Sequence, residues 1–376
     1  MASLDEVIKN INKKYGANIV GSLEQTQRHY KAISFPTPSL TYLFRNNCPR
    51  TIIELLGENH CSKTTLATAL CANAQKELKQ EWQDEIDTLQ SLDKPKASDK
   101  ERLDYLLQRG PQKACYIDHE FSQDPVWMEK LGVDLSELIF IQPDGQTAEQ
   151  VFQMILDLVA SDGIGCMVLD SIPALVSQQA MDKTMEEKTF CGISASLSQF
   201  CSKFMPLQRK HGCLFIGINS TRCDISGYNR VISPGGKFFR NACSIRLLMK
   251  RGGYYDEKYA DLKAHPDTAS GVYIEVEVLK NKVSRGDRRM CKFSLTFSKG
   301  IDSFFDTVNL SIALGLITKA GAWFSIIDDD GNLLTDSEGN NMKWQGLKNV
   351  IAYFESHEVE FKELAKAVDE AITAED

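Results

Sequence analysis

The sequence contains no C-x-x-C pair, no internal repeat and no low-complexity tract, and no apolar run in it approaches the roughly 20 residues of a membrane helix. The first absence removes a compact metal knuckle or a dithiol redox motif. The 11 cysteines are scattered, and Cys191, Cys201, Cys213 and Cys223 stand too far apart to ligate together. An odd number of thiols spread over 376 residues reads as small half-buried hydrophobes kept reduced rather than as a disulfide framework. The opening residues, Met1 to Gly16, mix acids and bases and lack an apolar stretch, which argues against a secretory signal and for a cytoplasmic home. Positive charge is also in deficit: the net charge of -8, taken over the whole chain, counts against nucleic acid as a partner.

That average hides a local field. Between Ser202 and Arg251 stand ten bases and one acid, Asp224. Such a stretch is either a solvated face or a surface for an anionic polymer. Composition otherwise suits a globular chain, 43% hydrophobic and 25% charged, with one large domain and smaller additions.

Residues 4–14 carry Leu4, Val7, Ile8 and Ile11 at helical spacing, and a brief apolar stretch, Ala17 to Leu23, follows. Both are too small to fold alone; they are a docking arm for a neighbouring subunit or they pack on their own core. The run Thr51 to Gly57 then reads as a buried strand ending in glycine, with a helix from about Lys63 to Lys79 after it. Further strands are expected at Ala114–Asp118, Leu138–Gln142, Gly165–Asp170, Cys213–Asn219, Ser244–Met249 and Tyr273–Leu279. Helices are expected at Thr147–Ala160 and Thr189–Lys210, so the class is α/β with a mainly parallel twisted sheet covered on both faces. The charged segment 78–112, with Leu78, Trp82, Ile86, Leu89 and Leu92 at helical spacing and Pro95 breaking the run, predicts an inserted helical hairpin. The expected organisation is an N-terminal arm over 1–32, a core over 33–300 and a small α+β domain over 301–376 ending in a helix, Val359–Thr373.

The strongest local motif runs Gly57, Glu58, Asn59, His60, Cys61, Ser62, Lys63, Thr64, Thr65. It nearly fits the phosphate loop G-x-x-x-x-G-K-S/T, in which backbone N–H groups converge on phosphate at a helix N-terminus. Lys63 would reach the β and γ phosphates of ATP and the Thr64 hydroxyl would hold Mg²⁺. Ser62 replaces the second glycine, which costs on the order of 1 kcal/mol if the position needs a positive φ. By itself the altered loop also fits an ordinary helix start. Two apolar strands ending in acids add to it: Asp170 as a support for Mg²⁺, and the pair Asp118 and Glu120, one of which would polarise an attacking water.

The stretch from Tyr116 to Leu135, with Met167–Leu175, Leu214–Asn219, Pro234–Gly236, Leu279–Lys282 and Lys319–Ser325 in order after it, resembles the RecA family of DNA recombinases. The altered phosphate loop is similar to that of the phage-encoded, UvsX-like branch. The resemblance implies a RecA-type P-loop ATPase core and an ATP-dependent recombinase that forms a helical filament on single-stranded DNA and exchanges strands with a homologous duplex, in a bacterial or phage-infected cell. It implies Glu120 as the catalytic glutamate, Asp170 as the Walker B aspartate, and Trp127 and Asp124 as adenine contacts. Lys280 and Lys282 would reach the γ-phosphate of the neighbouring subunit's ATP.

It also implies two DNA-facing loops, about Ser177–Cys191 and Ser220–Lys237. In and around them Lys203, Arg222, Ile225, Arg230, Gly235, Gly236, Lys237 and Arg240 would meet the strand, and Tyr228 would stack on a base or cover its own loop. Partners implied are single-stranded and homologous double-stranded DNA, further copies of the chain, and a single-strand-binding protein or loader; no membrane is expected. Departures exist. Ser220 stands where the family has a glutamine that couples the γ-phosphate to DNA, Ser196 stands where it has an arginine, the 78–112 hairpin has no counterpart, and the acidic tail shrinks to Glu375 and Asp376. A catalytically weak DNA-coating filament or mediator, or a hexameric helicase, are the competing readings.

Overall fold

The computed structural model describes residues 3–16, 19–22, 30–184, 186–187, 192–222, 232–263, 266–327, 331–335 and 340–374. The chain falls into two units, Met1–Lys31 and Ala32–Asp376.

In the first unit, α1 (Leu4–Tyr15) starts at a capping box: the Ser3 hydroxyl accepts from the Glu6 N–H, and the Glu6 carboxylate accepts from the Ser3 N–H. The Asn12 side chain bonds both the N–H and the carbonyl of Val20, turning the chain back. No residue of α1 is buried, and Leu4 and Val7 are exposed.

In the second unit, α2 (Pro38–Phe44) precedes the central strand β1 (Ile52–Gly57), all six residues of which are buried, as a strand covered on both faces requires. The sheet continues with β2 (Lys113–Asp118), β3 (Ile139–Ile141), β4 (Ile164–Asp170), β5 (Leu214–Ser220) and β6 (Ile245–Tyr255). Its order is β6-β1-β5-β4-β2-β3 and every one of these pairings is parallel. On the β6 side it is extended by the antiparallel strands β7 (Asp261–Leu262), β8 (Gly271–Asn281), β9 (Met290–Thr296) and β10 (Gly300–Ile301).

Side chains alternate across the sheet. Ile53, Leu55, Val168, Leu214 and Ile216 pack under α3 (Lys63–Gln90) with Leu66 and Leu70. Ile52, Met167, Leu169 and Phe215 face the opposite layer, α6 (Ala148–Ala160) and α8 (Ser194–His211), where Phe152, Phe200 and Phe204 stack in series. Between these, α4 (Ala97–Arg109), α5 (Pro125–Lys130) and α7 (Gln178–Met181) lie in connections, and α9 (Gly236–Ala242) leads into β6.

Two expectations change. The first arm of the 78–112 segment is not a separate helix but the continuation of α3, which runs unbroken for 28 residues. No glycine or proline stands between Lys63 and Pro95, so nothing stops the helix that the phosphate loop starts. α4 returns along it, with the Trp82 indole donating to the Leu106 carbonyl and Asp162 accepting from Tyr105, Arg109, Gln112 and His211. The strand expected at Ser244–Met249 extends to Tyr255, and β9, whose Cys291, Phe293 and Leu295 alternate with Lys292, Ser294 and Thr296, lies outside the expected strands.

Beyond β10, α10 (Ser303–Leu314), the antiparallel β11 (Ile317–Ala320), β12 (Trp323–Ile326) and β13 (Trp344–Gln345), and α11 (Leu347–Ser356) and α12 (Glu358–Thr373) complete the chain. Phe305, Ile351, Phe354 and Leu364 share a core with Tyr255 and Tyr273 of the long strands. Asp306 of α10 is wholly buried and accepts bonds from the Thr37 hydroxyl and from the N–H and hydroxyl of Ser39.

Candidate nucleotide and nucleic-acid site

The parallel register carries Gly57, Asp118, Asp170 and Ser220 to one edge of the sheet: Gly57 stands opposite Ser220, and Asp118 opposite Asp170. Outside these strand ends, where ligands of open α/β sheets bind, lies a cavity of about 910 Å³ whose wall includes residues 59–65, Glu120, Asp170 and Ser171.

Gly57 is required by close approach. A Cβ there would come within 2.4 Å of both the Cys61 sulfur and the Met249 carbonyl oxygen. Glu58, Asn59 and His60 are exposed, and Cys61 is buried, its thiol pushed up by burial against the lowering pull of Lys63. Ser62 has φ 62° and ψ 28°, the left-handed conformation that glycine adopts freely, and its side chain makes no capping bond to α3. The loop geometry is therefore kept at a backbone cost. The Lys63 ammonium folds back on the carbonyls of Gly57 and Glu58, at 3.0 and 2.6 Å, and Thr65 also lines the cavity.

Thr64 donates its hydroxyl proton to Asp170 Oδ2 at 2.9 Å, leaving its lone pairs free for a cation. Burial pushes the Asp170 carboxyl up to about 6, with the hydrogen bonds of Tyr116 and Thr64 pulling it back. The two acids of the next strand separate in role. Asp118 is fully buried and accepts backbone N–H bonds from Glu120, Ser122 and Gln123, so it shapes the loop. Glu120 is exposed and accepts from the Ser171 hydroxyl, next to Asp170. Among the described residues no three His, Cys, Asp or Glu side chains cluster as a metal site. One carboxylate and one hydroxyl facing a phosphate loop nonetheless suit Mg²⁺, which takes few protein oxygens beside phosphate and water.

Asp124 caps α5 by accepting from the Val126 N–H, and Trp127, half-buried, stands beside Gly300. Phe297, Tyr254 and Arg251 also line the cavity. Sequence reasoning passed over Phe297 and Tyr254 and counted Arg251 only among the ten bases, since none of the three stands in a contiguous motif. Lys280 and Lys282 do not line it. Their ammonium groups cap carbonyls at the end of α9, Lys280 on Arg240 and Asn241 and Lys282 on Asn241. Burial, and then Lys282 beside it, lowers the Lys280 pKa.

Of the expected DNA contacts, Ile225, Tyr228 and Arg230 lie outside the described residues, as do Met185 and residues 188–191 of the first loop. Arg222 is bridged to Ile232 across the base of the second loop. That loop closes at Gly235 and Gly236, both at positive φ; a Cβ on Gly235 would strike Leu197. Lys237 is exposed, the Arg240 guanidinium turns back to the Gly236 carbonyl, and Lys203 is exposed midway along α8.

One of the ten bases must be withdrawn from the local field. Arg246 pairs with Glu54, a fully buried carboxylate in β1, at 2.5 Å and donates also to Ser233. The other Glu54 oxygen accepts from Asn219, whose amide also bonds the Pro234 carbonyl at the end of the second loop. Ser196 donates to Glu149, which accepts the Gln178 N–H as well, so it anchors the start of the first loop.

Residues 105–302, more than half of the chain, match the family model described as the RecA N-terminal domain. The chain belongs to the RecA family. Protein RecA of Thermus aquaticus is 29% identical over 330 residues, spanning 86% of this chain and 84% of that protein. Protein RecA of Rickettsia africae is 26% identical over 369 residues, 96% of this chain and 91% of that one. As a RecA-family member the chain is an ATP-dependent recombinase of DNA recombination and repair and a DNA-dependent ATPase of the P-loop kind. Nucleotide binding, DNA binding and filament formation come with that membership. Among the described residues no helix is long and apolar enough to cross a membrane.

Proposed function

We propose that ATP binds along residues 57–65, with Lys63 on its β and γ phosphates, Trp127 and Asp124 at the adenine, and Mg²⁺ held by Thr64 and Asp170. The bound Mg²⁺ would neutralise charge on the phosphates. Glu120 orients the attacking water, and Lys280 and Lys282 of the next protomer bring positive charge to the γ-phosphate. The observation that carries this reading is the grouping of the phosphate loop, Glu120 and Asp170 at one sheet edge while the lysine pair faces elsewhere in its own chain. Such a division suits a site completed only in a filament.

Residues 177–191 and 220–237 hold single-stranded DNA through Arg222, Arg230, Lys237 and Arg240, with Ile225 and Tyr228 against the bases and Lys203 as an outlying charge. A homologous duplex is then paired with that strand. A single-strand-binding protein or loader in a bacterial cytoplasm, phage-infected or not, completes the setting.

The test is Lys280→Ala with Lys282→Ala. DNA-stimulated hydrolysis should fall by at least about 10²-fold, while nucleotide binding by the free protein is kept. Intact hydrolysis would refute the composite site. The strained Ser62 favours a second reading, a coat or mediator with little turnover; hydrolysis by the wild type that does not respond to single-stranded DNA would select it.

A further inference from the structure

Three donors converge on one oxygen of Asp170. Thr64 Oγ1 reaches Oδ2 at 2.9 Å, Tyr116 Oη at 2.8 Å and Gln123 Nε2 at 3.3 Å, and the Gln123 amide also donates to Tyr116 Oη at 3.1 Å. None of the three uses Oδ1. The Tyr116 ring is fully buried in β2, beside β4, so its hydroxyl has one fixed direction. Gln123 comes from the loop that also holds Glu120, and the backbone of that loop is fixed by Asp118. A second strap runs the other way, from the Ser171 hydroxyl to Glu120. The strand end that carries Asp170 and the loop that carries Glu120 are thus tied at two points.

We propose that Tyr116 and Gln123 are positioning residues that hold the Asp170 carboxylate for Mg²⁺ and set its register against Glu120; this rests on the nucleotide-site reading above. Thr64 alone would leave the carboxylate free to rotate about χ2. With Tyr116 and Gln123 on the same oxygen as Thr64, rotation breaks three bonds, and Oδ1 is the oxygen these three donors leave for a cation. Because Gln123 and Glu120 share one loop, the carboxylate that meets the cation and the carboxylate that meets the water move together. Hydrogen-bond partners that orient ligating carboxylates are commonly worth about 10–100-fold in metal affinity.

The experiment is binding of a fluorescent (mant) ADP to the full-length protein, followed by energy transfer from tryptophan, titrated with Mg²⁺ and repeated in EDTA. Tyr116→Phe removes one hydroxyl and keeps the ring; Gln123→Met keeps the side-chain length and removes the amide. Each should raise the Mg²⁺ concentration for half-saturation about tenfold, with binding in EDTA unchanged, and the double variant should do little more than either single one, since both act on one oxygen. Magnesium curves that superpose on the wild type would overturn the proposal. So would equal losses with and without Mg²⁺, which mark a merely structural role. If the wild type itself bound mant-ADP no better with Mg²⁺, the nucleotide-site reading would fall first and this inference with it.

Discussion

Arg246→Met should test the buried ion pair most directly. The Glu54 carboxylate is fully buried and its two oxygens have two charge- or dipole-bearing partners, Arg246 and Asn219. Removing the guanidinium leaves a carboxylate in the sheet interior with one neutral donor, a change that costs about 3–5 kcal/mol. Against a total stability of about 5–15 kcal/mol that is a large fraction, and in urea it would move the midpoint down by roughly 1–2 M. Glu54→Gln keeps a carbonyl for Asn219 and removes the charge; combined with Arg246→Met it should recover about 2 kcal/mol or more of the loss, because no uncompensated charge remains.

A second readout separates this from a DNA role. If Arg246 touched phosphate, its loss would lower the slope of log affinity against log salt for single-stranded DNA by about 0.7; the buried pair predicts no change in slope. A cost under about 1 kcal/mol for Arg246→Met together with a lowered salt slope would refute the reasoning and return Arg246 to the DNA surface.

Ser62→Gly relieves a left-handed residue worth about 1–2 kcal/mol and loosens the unfolded chain by about 0.4–1 kcal/mol; urea unfolding should show a gain of up to about 1.5 kcal/mol, and a loss would mean the serine side chain contributes something the structure does not display. Asp306 gives a pH dependence. Burial raises its folded pKa to about 6 against hydrogen bonds from Thr37 and Ser39, so the folded state holds the proton more tightly than the unfolded one. That contribution is complete below about pH 4 and lost as pH rises through about 6, roughly 3 kcal/mol in all; Asp306→Asn should flatten this part of the urea midpoint–pH curve. Asp162→Ala frees Tyr105, Arg109, Gln112 and His211 together; it should cost about 1–3 kcal/mol and speed amide exchange in α4, with little change in nucleotide binding.

The parts of the molecule legible in the sequence are those written in contiguous residues. The loop from Gly57 to Thr65 and the apolar strands ending in Asp170 and Asn219 announced the parallel sheet and the edge where the site sits. The positive φ at Ser62 followed from its place in the glycine pattern. What stayed hidden depends on pairs far apart in the chain. Glu54 and Arg246 are 192 residues apart, so Arg246 could only be counted as surface charge. Tyr116 meets Asp170 through the pairing of β2 with β4, and Gln123 through the loop that follows β2, neither of which a local pattern encodes. The unbroken α3 was readable, since no helix breaker stands in it, but its change from apolar to charged composition near Leu78 suggested a boundary that the backbone does not have.

That continuity has a mechanical consequence. A helix of 28 residues is a rod of about 42 Å whose first turn holds Lys63 and Thr64 and whose far end carries the hairpin tip. Over that length a tilt of about 5° at the phosphate loop is a displacement of about 3–4 Å at the tip. A small tilt at the loop becomes, at the other end, as large as the rise of two residues along the same helix.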